Sequence, residues 1–510
     1  MRNKKKNYLA LALSSVLIAS SCTTAEKECK TQATKLEKYK AEWSSLSRHN
    51  SPQWLLDMKF GIYSHWGPQS VLSSSGKLKD NVTAENAKEL FKEWTGKKFS
   101  AAEWAALFKE AGAQFAGPVA IHGTGCVNWD SEVTSWNSTN YGPKIDILGE
   151  MAREVRKQDM KLVATFHNVR PKGIWGEKSL ADRTFIEPTD DNSKERIDQT
   201  WMDGWYDRIF EAVSKYNIDL AWFDTSFGNT VKGDLNNYFI DGHYVPTEGK
   251  TCDIGGISER YQRKLIADYF NDAAKEGREV EVLYKTHDIP ANIGMRDIEN
   301  GNLNGLQYDP WIADINMMHH DKGWTWFYSD EQSIKDANCL VDMLIDMTSK
   351  NGRLLLNVPP YADGSFAPRV VKELKDLGAW LKVNSEGIYG TTPWSIAGEG
   401  PTRIKHEGHH GQGKMKGREM AHFTAADLRY TSKGNAIYAF ILDTPTDSNI
   451  LFKGLGSGNK LYPGEVLNVE LLGCKEALDW EHLPEGLQIK LPKAEHLGQF
   501  AHCFKVTIKE

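Results

Sequence analysis

The 510-residue sequence has no paired-cysteine motif. Its seven cysteines stand at 22, 29, 126, 252, 339, 474 and 503, and no CxxC occurs among them. That spacing argues against a structural zinc site and offers no disulfide framework, which a chain of this size does not need to build a core. No His-x-His occurs, so one common metal-ligand spacing is missing, and no metal or other cofactor is expected. No GxGxxG follows the first candidate strand, which sets a dinucleotide-binding open sheet behind other α/β folds. Long apolar runs are scarce as well. The run from Tyr8 to Ile18 is too short to span a bilayer. Excess positive charge is absent: the formal net charge is −6, so a polyanion-binding surface is not suggested and nucleic acid is not an expected partner.

What is present begins with export. Arg2, Lys4, Lys5 and Lys6 precede that short apolar run, and Ala19-Ser20-Ser21-Cys22 follows it. A basic segment, an apolar segment and small residues make a secretory signal, and a cysteine in that place resembles a bacterial lipobox, although Ala replaces the usual Leu three residues before it. Residues 1–22 are therefore expected to be a lipoprotein-type signal with Cys22 as the lipidated first mature residue, in a periplasmic or cell-surface protein. Removal of residues 1–21 takes away four basic groups and moves the formal charge from −6 to −10. Residues 23–53 are polar and Lys/Glu-rich and are expected to form a tether.

From 54 to 390 strands and helices alternate. Ser100-Ala101-Ala102-Glu103 is a capping box, followed by Trp104, Leu107, Phe108 and Ala111 at helical spacing. Strands are expected at Phe115–Ile121, Leu162–Phe166, Ile218–Phe223, Val280–Tyr284 and Leu354–Val358. Asp146 is placed to cap a helix bearing Ile147, Met151 and Val155. Another helix is expected from about Ser333 to Ser349, and a last one bears Val371, Leu374, Leu377 and Leu381. Such alternation over this length points to a (β/α)-barrel. After 391 the period changes to two, as in Ala436, Tyr438, Phe440 and Leu442, and residues 391–510 are expected to form an antiparallel β-sandwich.

In a barrel, the residues at the C-terminal ends of the strands face the active site. Lys59-Phe60-Gly61-Ile62-Tyr63-Ser64-His65-Trp66-Gly67 delivers a histidine and an indole to such a mouth, and His122, His167 and Asp224 follow three later strands. Buried, satisfied core histidines are the plain alternative for these positions, and helix capping or pairing with arginine is the alternative for Asp224. Asp224 ends Leu220-Ala221-Trp222-Phe223, which carries a carboxylate into an aromatic-walled mouth with Trp222 beside it. Glu299, close to Arg296, supplies a second carboxylate. Retaining glycoside hydrolysis needs two carboxyl groups about 5–5.5 Å apart, one as nucleophile and one as acid/base.

These segments together resemble the α-L-fucosidases of glycoside hydrolase family 29. The resemblance runs from about residue 54 to the C-terminus. It is carried by KFGIYSHWG (59–67), AGAQFAGPVAIH (111–122), WDSEVTSWNS (129–138), GPKIDILGEMAREVRKQDMKLV (142–163), DLAWFD (219–224), SKNGRLLLNVPPYADG (349–364) and WLKVNSEGIYGTTPW (380–394), with GEGPT (398–402) and FTAADLRYT (423–431) in the second domain. It implies a retaining exo-glycosidase that removes terminal α-linked L-fucose from glycans, with Asp224 as nucleophile and Glu299 as acid/base. It also implies a sugar pocket that draws on His65, Trp66, His122, His167, Trp222, Arg296 and Trp324. Three departures stand out. Relatives often read HHDG where this chain has His122-Gly123-Thr124-Gly125, and Glu-Trp-Tyr soon after HWG where it has Leu72-Ser73-Ser74-Ser75-Gly76. Glu299 is followed by Asn300-Gly301 rather than a basic or apolar residue before glycine. These departures keep open a related sugar, such as an α-L-galactoside or a modified fucose, or a non-catalytic glycan-binding protein.

Overall fold

A computed structural model describes residues 39–76, 87–167, 199–224, 257, 259–285, 289–290, 292–323, 325–410, 421–460, 464–493 and 497–509. The signal segment, the lipobox and most of the expected tether lie outside these residues. Ala41–Glu510 forms one compact unit. The tether does not reach 53, because from Trp43 onward the chain is already packed. Leu46 is buried, and His49 stacks on Phe270 at 4.0 Å and meets Glu281 at 3.2 Å.

Eight parallel strands close a barrel in sequence order: β1 (Phe60–Ser64), β2 (Phe115–Ile121), β3 (Lys161–Phe166), β4 (Leu220–Phe223), β5 (Glu281–Tyr284), β6 (Met295–Asp297), β7 (Trp311–Asn316) and β8 (Leu354–Asn357). Among the described residues, six longer helices surround or follow it: α1 (Ala101–Glu110), α2 (Ile147–Lys157), α3 (Gln199–Lys215), α4 (Glu259–Lys275), α5 (Ala337–Ser349) and α6 (Pro368–Asn384). Capping sets several helix starts. The Ser100 hydroxyl accepts the Glu103 N–H, Asp146 accepts the Gly149 N–H, and Asp336 accepts the Cys339 N–H. The last of these starts α5 at Ala337, later than the Ser333 expected from periodicity.

Strand alternation divides the apolar residues into two layers. Tyr63, Phe115, Val119, Val163, Leu220, Trp222, Leu283, Met295, Ile312 and Leu355 fill the barrel interior, with Leu55 closing the end where the strands begin. The opposite faces, such as Phe60, Ile62, Ala116, Ala313, Ile315 and Leu356, pack outward with the helices. A filled lumen leaves only the C-terminal ends of the strands to present polar groups. Two antiparallel sheets follow from β9 (Thr392–Glu399). One has five strands in the order β13 (Val466–Leu471), β16 (His502–Ile508), β11 (Ala436–Ile441), β10 (Leu428–Lys433), β9. The other pairs β12 (Asn449–Phe452), β15 (Gly486–Lys490) and β14 (Trp480–Leu483). Tyr438, Phe440 and Cys503 join the barrel's outer core, and the Trp380 indole of α6 donates to the Ala501 carbonyl at 2.7 Å.

Candidate active site

The ends of β1, β2 and β3 bring three imidazoles together. Ring centroids are 5.2 Å apart for His65–His122, 4.9 Å for His65–His167 and 4.7 Å for His122–His167. At the end of β8, the Asn357 side-chain oxygen lies 3.0 Å from both the His65 backbone N–H and His65 Nδ1. Its NH2 donates to the Trp326 carbonyl at 2.7 Å and the Asn316 side-chain oxygen at 3.0 Å, which fixes the amide orientation. His65 Nδ1 therefore carries the proton, and Nε2, buried without a hydrogen-bond partner among the described residues, is an acceptor. Burial, reinforced by the neighbouring His167 and His122, holds His65 well below the ordinary histidine range. Burial and His167 push His122 down to about 3, and Gln69 lies 3.2 Å from its Nδ1. His65 and His122 are thus neutral at physiological pH.

The carboxylates meet at the other side of the mouth. Asp224, directly after β4, contacts His167 Nδ1 at 3.3 Å and Lys285 Nζ at 2.8 Å. Lys285, directly after β5, stands 4.5 Å above the Trp222 ring and also reaches Glu299 at 3.1 Å and Asp314 at 3.6 Å. Asp224 and Glu299 therefore flank one ammonium, and their oxygens are separated by no more than the sum of those two contacts. Burial alone would raise Asp224, but Lys285 and His167 outweigh it and hold the carboxyl well below the usual range. Burial would likewise lower Lys285, yet Asp224, Asp314, Glu299 and Asp297 together keep it charged.

Excess negative charge is relieved beneath the mouth. Asp297 of β6 accepts the Asp314 N–H at 2.9 Å, and the Tyr63 hydroxyl donates to Asp314 at 3.2 Å. Burial pushes Asp297 up to about 6 and, with Asp297 beside it, raises Asp314 well above the carboxylate range. A proton thus settles on Asp314 while Asp224 stays ionised.

Not every expected pocket residue arrives there. Trp66 turns outward, stacking on Phe99 at 5.0 Å with Trp94 and Trp104 around it, and its indole contacts the Ala362 carbonyl at 3.3 Å. It belongs to the outer core, because the strand and its alternation end at Ser64. Arg296 also departs: Met295 and Asp297 point into the barrel, so Arg296 between them faces out, where Tyr284, Asp297 and Glu407 are its charge neighbours. Trp222 is fully buried and supports Lys285 and His167 from below rather than offering a sugar surface. Trp324 lies outside the described residues. Trp326 does come close, stacked on His65 at 5.4 Å. Lys285, Asn357, Asp314 and Gln69 were not anticipated, although Lys285 and Asn357 obey the same strand-end rule as Asp224.

Among the described residues, one group has ligand atoms close enough to suggest a metal: His65, His122 and His167, within 4.8 Å of one another. Tetrahedral zinc would draw nitrogens to about 3.4 Å apart, and the Lys285 ammonium, which already disfavours charge on His122, opposes a further positive charge. The histidines suit a neutral polar ligand better. The sequence also contains His406-Glu407-Gly408-His409-His410, an HExxH spacing. That zinc motif requires a helix to put both histidines on one face. Here Gly408 and His410 both have positive φ and the segment is not helical.

Comparison with known proteins agrees with this geometry. The family described as Alpha-L-fucosidase matches residues 25–386, and the Alpha-L-fucosidase C-terminal domain matches residues 422–507. The chain is 25% identical over 493 residues to tissue alpha-L-fucosidase of Rattus norvegicus, covering 89% of each. It is 26% identical over 483 residues to plasma alpha-L-fucosidase of Homo sapiens, covering 88% of each. Among solved structures, the Thermotoga maritima alpha-fucosidase in complex with fucose superposes with a TM-score of 0.66 at 22% identity, over 92% of this chain and 100% of that one. A GH29 alpha-L-fucosidase of Bacteroides thetaiotaomicron, trapped as a covalent intermediate, gives 0.65 at 16% identity, over 93% and 99%. A closed eight-stranded barrel, paired carboxylates at its mouth and a family match across most of its length converge on one assignment: the chain belongs to the α-L-fucosidase family of glycoside hydrolases.

Proposed function

We propose that this protein is a retaining exo-α-L-fucosidase acting on fucosylated glycans, exported and anchored by lipid at Cys22. The carrying observation is the pair of carboxylates, Asp224 and Glu299, that flank Lys285 at the barrel mouth. Asp224, ionised and close to neutral imidazoles, attacks the anomeric carbon and forms a glycosyl-enzyme ester. Glu299 gives its proton to the departing glycosidic oxygen, then takes one from the water that attacks the ester. His65 Nε2 offers an acceptor to a sugar hydroxyl, and the neutral histidines recognise hydroxyls without competing for charge. Asp224→Asn should abolish turnover of an aryl α-L-fucoside while thermal unfolding stays cooperative. Unchanged turnover would end the assignment.

A second reading, that a larger L-sugar is accepted, rests on Gly123. A Cβ built there would meet no atom of the described residues within 4 Å, which leaves room beside His122 where relatives often place a second histidine. Comparison of kcat/KM for aryl α-L-fucoside and α-L-galactoside decides between them. A preference for the galactoside would favour the larger sugar.

A further inference from the structure

The segment carrying Glu299 is held from two sides by distant parts of the chain. On the barrel side, the Ile298 N–H donates to the Ile312 carbonyl at 2.8 Å and the Asn300 N–H to the Asp314 carbonyl at 2.7 Å. On the other side lie residues 404–410, which follow the first strand of the C-terminal sheets. The Glu299 N–H donates to His409 Nδ1 at 2.9 Å, and the Glu299 carbonyl accepts the His410 N–H at 2.7 Å. Asn302 and Gly408 exchange backbone hydrogen bonds at 3.3 and 2.8 Å. Glu407 accepts the Asn304 N–H at 2.9 Å, and the Asn304 amide reaches the Ile404 carbonyl at 3.2 Å. The two segments approach closely at Gly301, where a Cβ would fall 2.1 Å from the Gly408 carbonyl oxygen.

The same region is tied to the sandwich by charge. The Asn302 amide donates to Asp346 at 2.8 Å, and this buried carboxylate also receives Lys350 at 2.7 Å and Arg429 of β10 at 2.6 Å. Both backbone polar groups of Glu299 are therefore satisfied by the 404–410 segment, while its carboxylate rests on Lys285. His409 can accept the Glu299 N–H only with Nδ1 unprotonated, so the hydrogen bond also fixes a tautomer.

We propose that residues 404–410 form a strap by which the C-terminal domain positions Glu299 for proton transfer to the leaving group, with His409 as the positioning residue. The proposal rests on Glu299 being the acid/base group. Misplacement of a catalytic group by about 1 Å is enough to lower a rate by about two orders of magnitude. Such a loss falls on substrates whose leaving oxygen must be protonated and spares those whose leaving group departs unaided.

The test compares kcat/KM for α-L-fucosyl fluoride and for a fucosyl disaccharide in four variants: His409→Ala, His409→Asn, Gly301→Ala and Glu299→Gln. His409→Ala should lose about 10–100-fold on the disaccharide and under about 3-fold on the fluoride. His409→Asn, which keeps an acceptor, should recover most of the loss. Gly301→Ala displaces the strap without touching either functional side chain and should reproduce the split, so the proposal remains decidable if His409→Ala does not fold. Equal losses on both substrates, or none, in the His409 and Gly301 variants would overturn the strap if Glu299→Gln still shows the split. Absence of the split in Glu299→Gln would instead overturn the acid/base assignment on which the strap depends.

Discussion

Lys285→Met keeps most of the side chain's length and removes the ammonium shared by Asp224, Glu299 and Asp314. Lys285 is the largest influence holding Asp224 down against burial. An opposite charge in contact lowers a carboxylate by about 1–3 pH units, so its loss should raise the Asp224 pKa by that amount or more, because burial is then opposed only by His167. Each unit corresponds to about 1.4 kcal/mol. On the proposed mechanism Asp224 attacks only when ionised, so activity should be lost as pH falls through its pKa. The acid limb of kcat/KM, which in the native protein lies well below the usual carboxylate range, should move upward by about 1–3 units. Stability should drop by about 3–5 kcal/mol near neutral pH, since removing one partner leaves buried like charges facing one another. That deficit should shrink on acidification as those carboxyls take up protons. Lys285→Arg retains the charge and should keep the limb low. The assay is a pH profile on an aryl α-L-fucoside, with urea unfolding of the same variants. A folded Met variant whose acid limb has not moved would refute the electrostatic role given to Lys285.

Three further outcomes follow from other groups. Burial pushes Asp342 up to about 8, so the folded protein keeps a proton that the unfolded chain releases in the ordinary carboxylate range. Stability should therefore fall as pH rises from that range to about 8, and Asp342→Asn should flatten the slope in urea unfolding; an unchanged slope would contradict this. His65 and His122 are held neutral, so neither should give KM for a neutral fucoside a pH dependence between about pH 5 and pH 8. A dependence in that window that disappears in a His122 variant would show that the imidazole titrates there. Asp346→Ala strands the buried Lys350 and Arg429 and should cost about 3–5 kcal/mol, visible as a lower urea midpoint; a change under about 1 kcal/mol would contradict the pairing.

The barrel and much of its mouth were legible because strand-end positions are local. An apolar run that stops at a polar residue gives His65, His122, His167 and Asp224, and the structure brings all four together. The same rule applied to the strands ending at Tyr284 and Asn357 would have found Lys285 and Asn357 itself. Trp66 was less readable: one step past His65 the strand has ended, and alternation no longer says which way a side chain turns. Arg296 could have been set aside by period two once Asp297 was taken as inward. The start of α5 needed Asp336 recognised as a cap rather than the apolar period that runs past it. The strap could not be read from local pattern, because Glu299 and His409 are 110 residues apart and pair through a backbone N–H and an imidazole nitrogen.

The central claim is covalent catalysis by Asp224. Incubation with 2-deoxy-2-fluoro-L-fucosyl fluoride, followed by peptic digestion and mass spectrometry, tests it most directly. The account predicts one fluorofucosyl group per chain, esterified to Asp224 and released on reactivation with recovery of activity. A label on another carboxylate, or turnover of the reagent with no covalent species under conditions of demonstrable hydrolysis, would contradict it.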